Sequence, residues 1–285
     1  VTKDTLTLTA SLKAAQITSS LLLVETSAKS ITSRIIIQNA LNRYRNLNND
    51  TDQNWVLALG DLGVSLSGGP GNGILLQAKV FTSGEPGEHR DGNNTLILAT
   101  GSGLAGQILL PQKSPSGQDV YLGDPNYGYP ADLYPNLTYS AVQVNDSYTR
   151  NETSFGSIVF NTETMLALGP YMTNQSYAIM SLTLPIINNT SETDVLAWMT
   201  IVVDASLIRQ VTESPEGLDT TGVTLLIGPN NQTNKFPSGL LYNSKSQKVP
   251  QDFEVRFVLA PNNSEGRHDS FAFGKQRSLF NVSQF

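Results

Sequence analysis

The chain has 285 residues, a formal net charge of −6, 39% hydrophobic residues and no cysteine. With no run of Lys or Arg it lacks the electrostatic footprint that nucleic acid or an anionic membrane surface requires, and without cysteine it has no disulfide or thiol chemistry. Its length allows one large core or two smaller ones, and two subdomains are the starting expectation.

The first Gly is Gly60 and the first Pro is Pro70, so the opening segment is free of helix breakers and reads as one long helix from about residue 4 to 45. Small or apolar residues recur at Ala10, Ala14, Ile17, Leu21, Val24, Ala28, Ile31 and Ile35, in the alternating steps of four and three of a heptad seam. Such a helix is on the order of 60 Å long. Either it packs across its own sheet, or its membrane-near half also pairs with a second subunit as a signalling stalk. A shorter helix is expected over 52–65, with Trp55, Leu57, Leu59 and Leu62 on its apolar side. Strand-like runs follow at 74–82, 95–100, 107–110, 157–160, 177–187 and 195–203, separated by connections rich in Gly, Pro and Asn. A short helix from Asp204, a strand at 222–227 and another at 253–259 complete the order. Helices first and a mostly antiparallel sheet afterwards predict an α+β fold, divided as 1–50 (stalk helix), 51–213 (a sheet domain) and 214–285 (a smaller unit, thin enough to lean on the first or to be incomplete).

Eleven Asn-x-Ser/Thr acceptors begin at Asn49, Asn93, Asn136, Asn145, Asn151, Asn174, Asn188, Asn189, Asn231, Asn262 and Asn281. That is about twice what chance gives for this composition, and it predicts a glycosylated, extracellular protein. No run approaches the roughly 18 apolar residues that span a bilayer, and the N-terminus lacks the shape of a signal peptide, so any such segments are expected outside this sequence.

Catalytic and cofactor signatures are weak. Gly101-Ser102-Gly103-Leu104-Ala105-Gly106 fits a dinucleotide loop in letters, but a short apolar run ending at Pro111 follows it instead of a helix, so a turn is the better reading. His89 and His268 stand alone in charged, turn-rich segments, and Glu213 and Glu216 flank a turn at Pro215. No metal and no cofactor is expected, and no catalytic residue is assigned. The most distinctive stretch runs from Tyr121 to Tyr139 and holds half of the ten tyrosines. Tyr121, Asp124, Tyr127, Tyr129, Tyr134 and Tyr139 either line a pocket for a small polar ligand or fill the gap between a strandless loop and the sheet.

Four segments together carry a family resemblance: Leu6-Thr-Leu-Thr-Ala-Ser-Leu-Lys-Ala-Ala-Gln-Ile17, Tyr134-Pro-Asn-Leu-Thr-Tyr139, Leu184-Pro-Ile-Ile-Asn-Asn-Thr190 and Ser214-Pro-Glu-Gly-Leu-Asp219. They resemble the extracellular region of the fungal osmosensing hybrid histidine kinases that head the phosphorelay of the high-osmolarity glycerol pathway. Trp198-Met-Thr-Ile-Val-Val-Asp204-Ala-Ser-Leu207 is similar to the close of the first unit in double Cache domains. The resemblance implies a long N-terminal helix, a membrane-distal PAS-like unit and the beginning of a membrane-proximal one. It also implies an ectodomain at the outer face of the plasma membrane that senses osmotic stress, turgor or a ligand, pairs as a homodimer and passes the signal to a cytoplasmic kinase. No kinase motif lies in this sequence, and the Arg-x-Trp-Tyr pattern of amino-acid-binding double Cache domains is missing. A small-molecule receptor, or a secreted carbohydrate-active or wall-adhesion protein, remain the alternatives.

Overall fold

The computed structural model describes residues 3–68, 73–83, 96–145, 148–174, 177–191, 193–218, 224–236, 253–259 and 279–281. The fold is α+β. Helices α1 (Lys3–Thr32), α2 (Ile35–Leu47) and α3 (Asp52–Gly68) come first. Strands β1 (Leu75–Thr82), β2 (Leu96–Gly101), β3 (Leu109–Lys113), β4 (Asp119–Tyr121), β5 (Thr138–Asn145), β6 (Tyr148–Phe155), β7 (Ile158–Phe160), β8 (Leu166–Asn174), β9 (Tyr177–Ile187) and β10 (Val195–Asp204) follow. Helix α4 (Ser206–Glu213) and strands β11 (Leu226–Pro229), β12 (Glu254–Leu259) and β13 (Leu279–Asn281) close the order.

The expected single helix is two. Ser30, Thr32 and Ser33 turn their hydroxyls onto the carbonyls of Ser27, Lys29 and Ser30, which offers the backbone partners that compete with the helical ladder. Arg34 then leaves helical geometry, with φ −71° and ψ 124°, and its guanidinium forms two 2.6 Å hydrogen bonds to Asp61 of α3. The corner is thereby fastened to the neighbouring helix.

The central sheet is antiparallel, in the order β2-β1-β10-β9-β8. The strands β1, β9 and β10 lie at the centre and are buried along nearly their whole length, covered on both faces. On the inner face Leu75, Ala78, Val80, Leu182, Met199 and Ile201 meet Val24, Ala28, Ile31, Leu41, Trp55 and Leu62 of the helices in one core. The outer face is covered by the chain between β2 and β8, which contributes the β3-β4 hairpin, the Tyr-rich loop and the β5-β6-β7 meander. β8 escapes sequence reading because Gly169-Pro170 interrupts it; as the edge strand it can carry a proline without losing a ladder bond.

The heptad seam divides. Val24, Ala28 and Ile31 are buried in this core and Ile17 and Leu21 pack against it, while Ala10, Ala14 and Ile35 are exposed. The buried stretch therefore serves the chain's own sheet and is not free for a second subunit.

The N-terminal half of α1 passes along α4. Lys13 is buried, and its ammonium donates to the carbonyls of Val211 at 2.7 Å and Ser214 at 2.6 Å, closing the C-terminal end of α4, where the helix dipole favours a cation. Burial lowers its pKa, and Glu216 opposes that shift. Lys13→Ala is expected to destabilise the protein by about 1–2 kcal/mol in urea denaturation, because two part-buried carbonyls lose their donor. Thr9 of the same face touches Gly217, bonding its carbonyl at 3.3 Å.

Strands β11, β12 and β13 form a separate three-stranded sheet. Leu226 and Leu259 join the main core, and Asn234 donates to the Gly169 carbonyl at 2.7 Å. The described part of the C-terminal segment thus leans on the first unit.

Candidate functional site

Along the outer face, β10 presents Val202, Thr200 and Trp198 in turn. Val202 belongs to one apolar cluster with Leu76, Leu110, Leu122, Leu133 and Ile179, and Trp198 to another with Leu137, Phe160, Leu166 and Leu168. Between them runs a polar stripe. Lys79 of β1 stands opposite Thr200, and Thr200 stands opposite Thr183 of β9. The two threonine hydroxyls are 2.8 Å apart and fully buried. Gln77 and Ser181 lie next along β1 and β9.

Lys79 is the centre of this stripe, with 9% of its surface exposed. Its ammonium lies 3.4 Å from the ring centroid of Tyr129 and 4.1 Å from that of Tyr134, a cation held against two aromatic faces. Among the described residues no carboxylate and no hydrogen-bond acceptor pairs with it. Desolvation pushes its pKa down to about 8. Neither phenol supplies the missing negative charge. Burial raises the pKa of Tyr129, with the Asp124 charge adding to it, and burial raises that of Tyr134 further, with Tyr129 adding to it.

The loop is held over the stripe by its own turn. The Asp124 carboxylate accepts the Tyr121 N–H at 2.6 Å, Gly123 N–H donates to the Gly128 carbonyl at 2.8 Å, and Gly128 N–H donates to the Asp124 carbonyl at 2.9 Å. Gly128 has no room for a side chain: a Cβ there would lie 2.0 Å from the Asp124 nitrogen and 2.3 Å from the Tyr121 oxygen. Gly123 takes φ +93° with Gln77 close by, a conformation that suits glycine. The Tyr134 hydroxyl bonds Gln77, the Ser181 hydroxyl bonds the Leu133 carbonyl, and the Tyr139 hydroxyl donates to the Thr82 carbonyl at 2.6 Å.

The six residues singled out from the sequence therefore separate by role. Tyr129 and Tyr134 face Lys79, Tyr139 anchors the loop beyond it, and Asp124 shapes the turn. Tyr121 and Tyr127 are exposed. Sequence reading missed Lys79, Thr183, Thr200 and Gln77. The available signal was a set of polar residues on one face of the three most apolar strands, at positions that the antiparallel register brings together.

Other candidates carry less chemistry. A cleft of about 520 Å³ opens at the end of α1 among Lys29, Thr32, Gln38, Glu163, Pro185 and Asn188. Its polar groups are largely occupied: Thr32 and Gln38 bond backbone groups, and Lys29 pairs with Glu25. Glu213 pairs with Arg209 at 2.7 Å, and both Glu213 and Glu216 are exposed. The Gly101–Gly106 segment leads through a three-residue 3₁₀ turn into β3, without a helix to hold pyrophosphate. His89 and His268 lie outside the described residues, as do the acceptors Asn93 and Asn262. Asn136, Asn189 and Asn231 are exposed, Asn49 and Asn188 half-buried, and Asn145, Asn151, Asn174 and Asn281 fall on strands. Among the described residues no cluster of His, Cys, Asp or Glu is arranged to hold a metal, and no helix is long and apolar enough to cross a membrane.

No family model, curated protein or solved structure matches this chain.

Proposed function

We propose that the chain is the extracellular sensor domain of a membrane receptor, of the type that fungal osmosensing histidine kinases carry, and that it has no catalytic role of its own. The observation that carries the reading is the sheet. Numbered among themselves, its five strands run second, first, fifth, fourth, third, with a 30-residue helix on one face and a loop layer over a buried polar stripe on the other. That is the arrangement a PAS-like unit of a double Cache domain implies. The excess of glycosylation acceptors supports an extracellular setting.

The homodimer belongs to the same proposal, on a different face of α1 from the predicted seam. From Thr5 to Val24 the only charged residue is Lys13, and it is buried. Leu8, Leu12, Ala15, Ser19 and Leu22, spaced by fours and threes, are all exposed, with Leu8 at 61% and Leu12 at 58%. In a protein of net charge −6 this uncharged row is where two copies meet without like-charge repulsion. Light scattering over a concentration series is expected to show a dimer that Leu12→Glu with Leu22→Glu makes monomeric while the fold persists. A monomer at every concentration in the unsubstituted protein would rule the interface out.

The sensor reading itself is tested by exchange. Placed between the membrane helices of a fungal osmosensing kinase, the chain is expected to restore phosphorelay output that changes with external osmolarity. Output indifferent to osmolarity and to every added solute would count against it.

A further inference from the structure

We infer that the protein carries an N-glycan on Asn189 and none on Asn188, and that the cleft at the end of α1 seats its first N-acetylglucosamine; this rests on the extracellular reading and gives it a site.

Asn188-Asn189-Thr190-Ser191 holds two overlapping acceptors, Asn188-Asn189-Thr190 and Asn189-Thr190-Ser191. The fold separates them. Asn188 is half-buried and its carboxamide is committed: Nδ2 donates to Asp194 at 2.9 Å, and Oδ1 accepts from the Thr190 N–H at 3.2 Å and the Thr190 hydroxyl at 2.9 Å. Its own N–H donates to the Asp194 carbonyl at 2.9 Å. Asp194 is fixed in turn by the Arg45 guanidinium, at 2.6 and 2.8 Å. Those bonds hold its carboxyl below the ordinary value against the opposing effect of burial, and Asn188 adds to the lowering. A glycosylated asparagine is a trans secondary amide, so the sugar stands on the Oδ1 side. On Asn188 that side is taken by Thr190. Asn189 is the reverse case. It is exposed and its carboxamide has no partner among the described residues, while its N–H donates to the buried Gln38 side chain at 3.1 Å and holds the backbone in place.

Asn189 also lines the cleft of about 520 Å³. β8 begins at Leu166, whose neighbour on β9 is Thr183, so β9 runs on past it from Leu184 to Ile187. Met165, Leu184, Pro185 and Ile187 give the cleft an apolar side, and Lys29 and Glu163 add charged groups to its wall. A pyranose suits such a place, because its C–H face packs on apolar side chains while its hydroxyls and acetamide reach polar groups and water. The sugar is tethered beside the cleft, so it is present there at high effective concentration and needs little intrinsic affinity.

The donor is an oligosaccharide on a polyprenyl diphosphate, the class used in the secretory compartment. The C1–O bond to the diphosphate breaks, the diphosphate leaves with the bonding pair, the C1–Nδ2 bond forms, and one Nδ2 proton passes to a base. Transfer meets the chain before it folds, and the first sugar blocks its neighbour. A sugar on Asn188 is incompatible with the Asp194 and Thr190 bonds on folding, so the folded, secreted protein carries it on Asn189.

The test uses the chain secreted from a eukaryotic host and treated with peptide-N-glycosidase in heavy-oxygen water. Each glycan-bearing asparagine becomes a labelled aspartate, and peptide sequencing reads its position. The label is expected at Asn189. Ser191→Ala removes the Asn189 acceptor and keeps that of Asn188, and it is expected to leave the pair unlabelled. Thr190→Ala removes the Asn188 acceptor and keeps that of Asn189, and it is expected to retain the label. The seat is read from the rate of glycan release under native conditions, which is expected to rise at least about fivefold in Met165→Lys, as the open form becomes the major one, with the label still at Asn189. Label at Asn188, a bare pair beside glycans elsewhere, or release unchanged in Met165→Lys would each overturn the inference. The label is read first on the unsubstituted protein, so the site is decided even if a variant fails to fold. A secreted chain bare at all eleven acceptors would instead count against the extracellular reading itself.

Discussion

Lys79→Met is expected to make the unliganded protein more stable by about 2 kcal/mol at neutral pH, against the usual direction for a substitution at a buried position. The folded protein holds this amine with a pKa near 8, against 10.5 when it is free in water, so protonation below pH 8 works against folding. The sign follows directly. Between pH 8 and 10.5 the unfolded chain binds the proton that the folded chain has lost, and stability rises with pH through that window. Contact with the Tyr129 and Tyr134 rings offsets part of the burial cost, and the expected gain is therefore smaller than the full shift implies. Thermal melts between pH 7 and 10 are expected to show this component rising with pH in the unsubstituted protein and missing from Lys79→Met. A variant less stable than its parent would mean that the rings stabilise the cation more than burial penalises it.

Gly128→Ala is the second large effect, and it acts on the cover instead of the stripe. The new methyl would sit within 2.3 Å of two backbone atoms of the same turn, where no rotamer change can relieve it. A loss of about 3 kcal/mol is expected, or an opened loop with Tyr129 withdrawn from Lys79. Gly103→Ala is the matched control, since nothing lies within 4 Å of its Cβ position. Limited proteolysis distinguishes the two forms of damage, because an opened loop is cut between Tyr121 and Tyr139 while the sheet survives. If Gly128→Ala melts and digests like its parent, the turn does not hold the cover in place.

Much of the frame was legible because its signals are local. Tyr177–Ile187 and Val195–Asp204 announce themselves as long, mostly apolar runs, and α3 by its apolar side and the Gly-Gly-Pro that ends it. The break at Ser33–Arg34 was not legible, because serine and threonine hydroxyls that bend a helix in one setting simply face water in another. β5 and β6 were missed for a different reason. Their Asn- and Thr-rich residues have the composition of a loop, and pairing in a meander makes them strands. The tyrosine loop covers the polar stripe, yet the residue at the centre of the stripe lies outside the loop. In the sequence Gln77-Ala-Lys79-Val80 a lone lysine in alternation reads as a solvent-facing position. It becomes buried only because residues far along the chain fold over that face. No periodicity in a single strand records what will cover it.

Lys13 and Thr9 fasten α1 to the segment from Val211 to Gly217, the point where the chain leaves the first unit for the C-terminal strands. The way in and the way out of the domain are therefore stitched together side by side. A pull applied between them is expected to load those stitches before the strands of the central sheet part. Under such a load this junction is expected to open first, ahead of the polar stripe and its tyrosine cover.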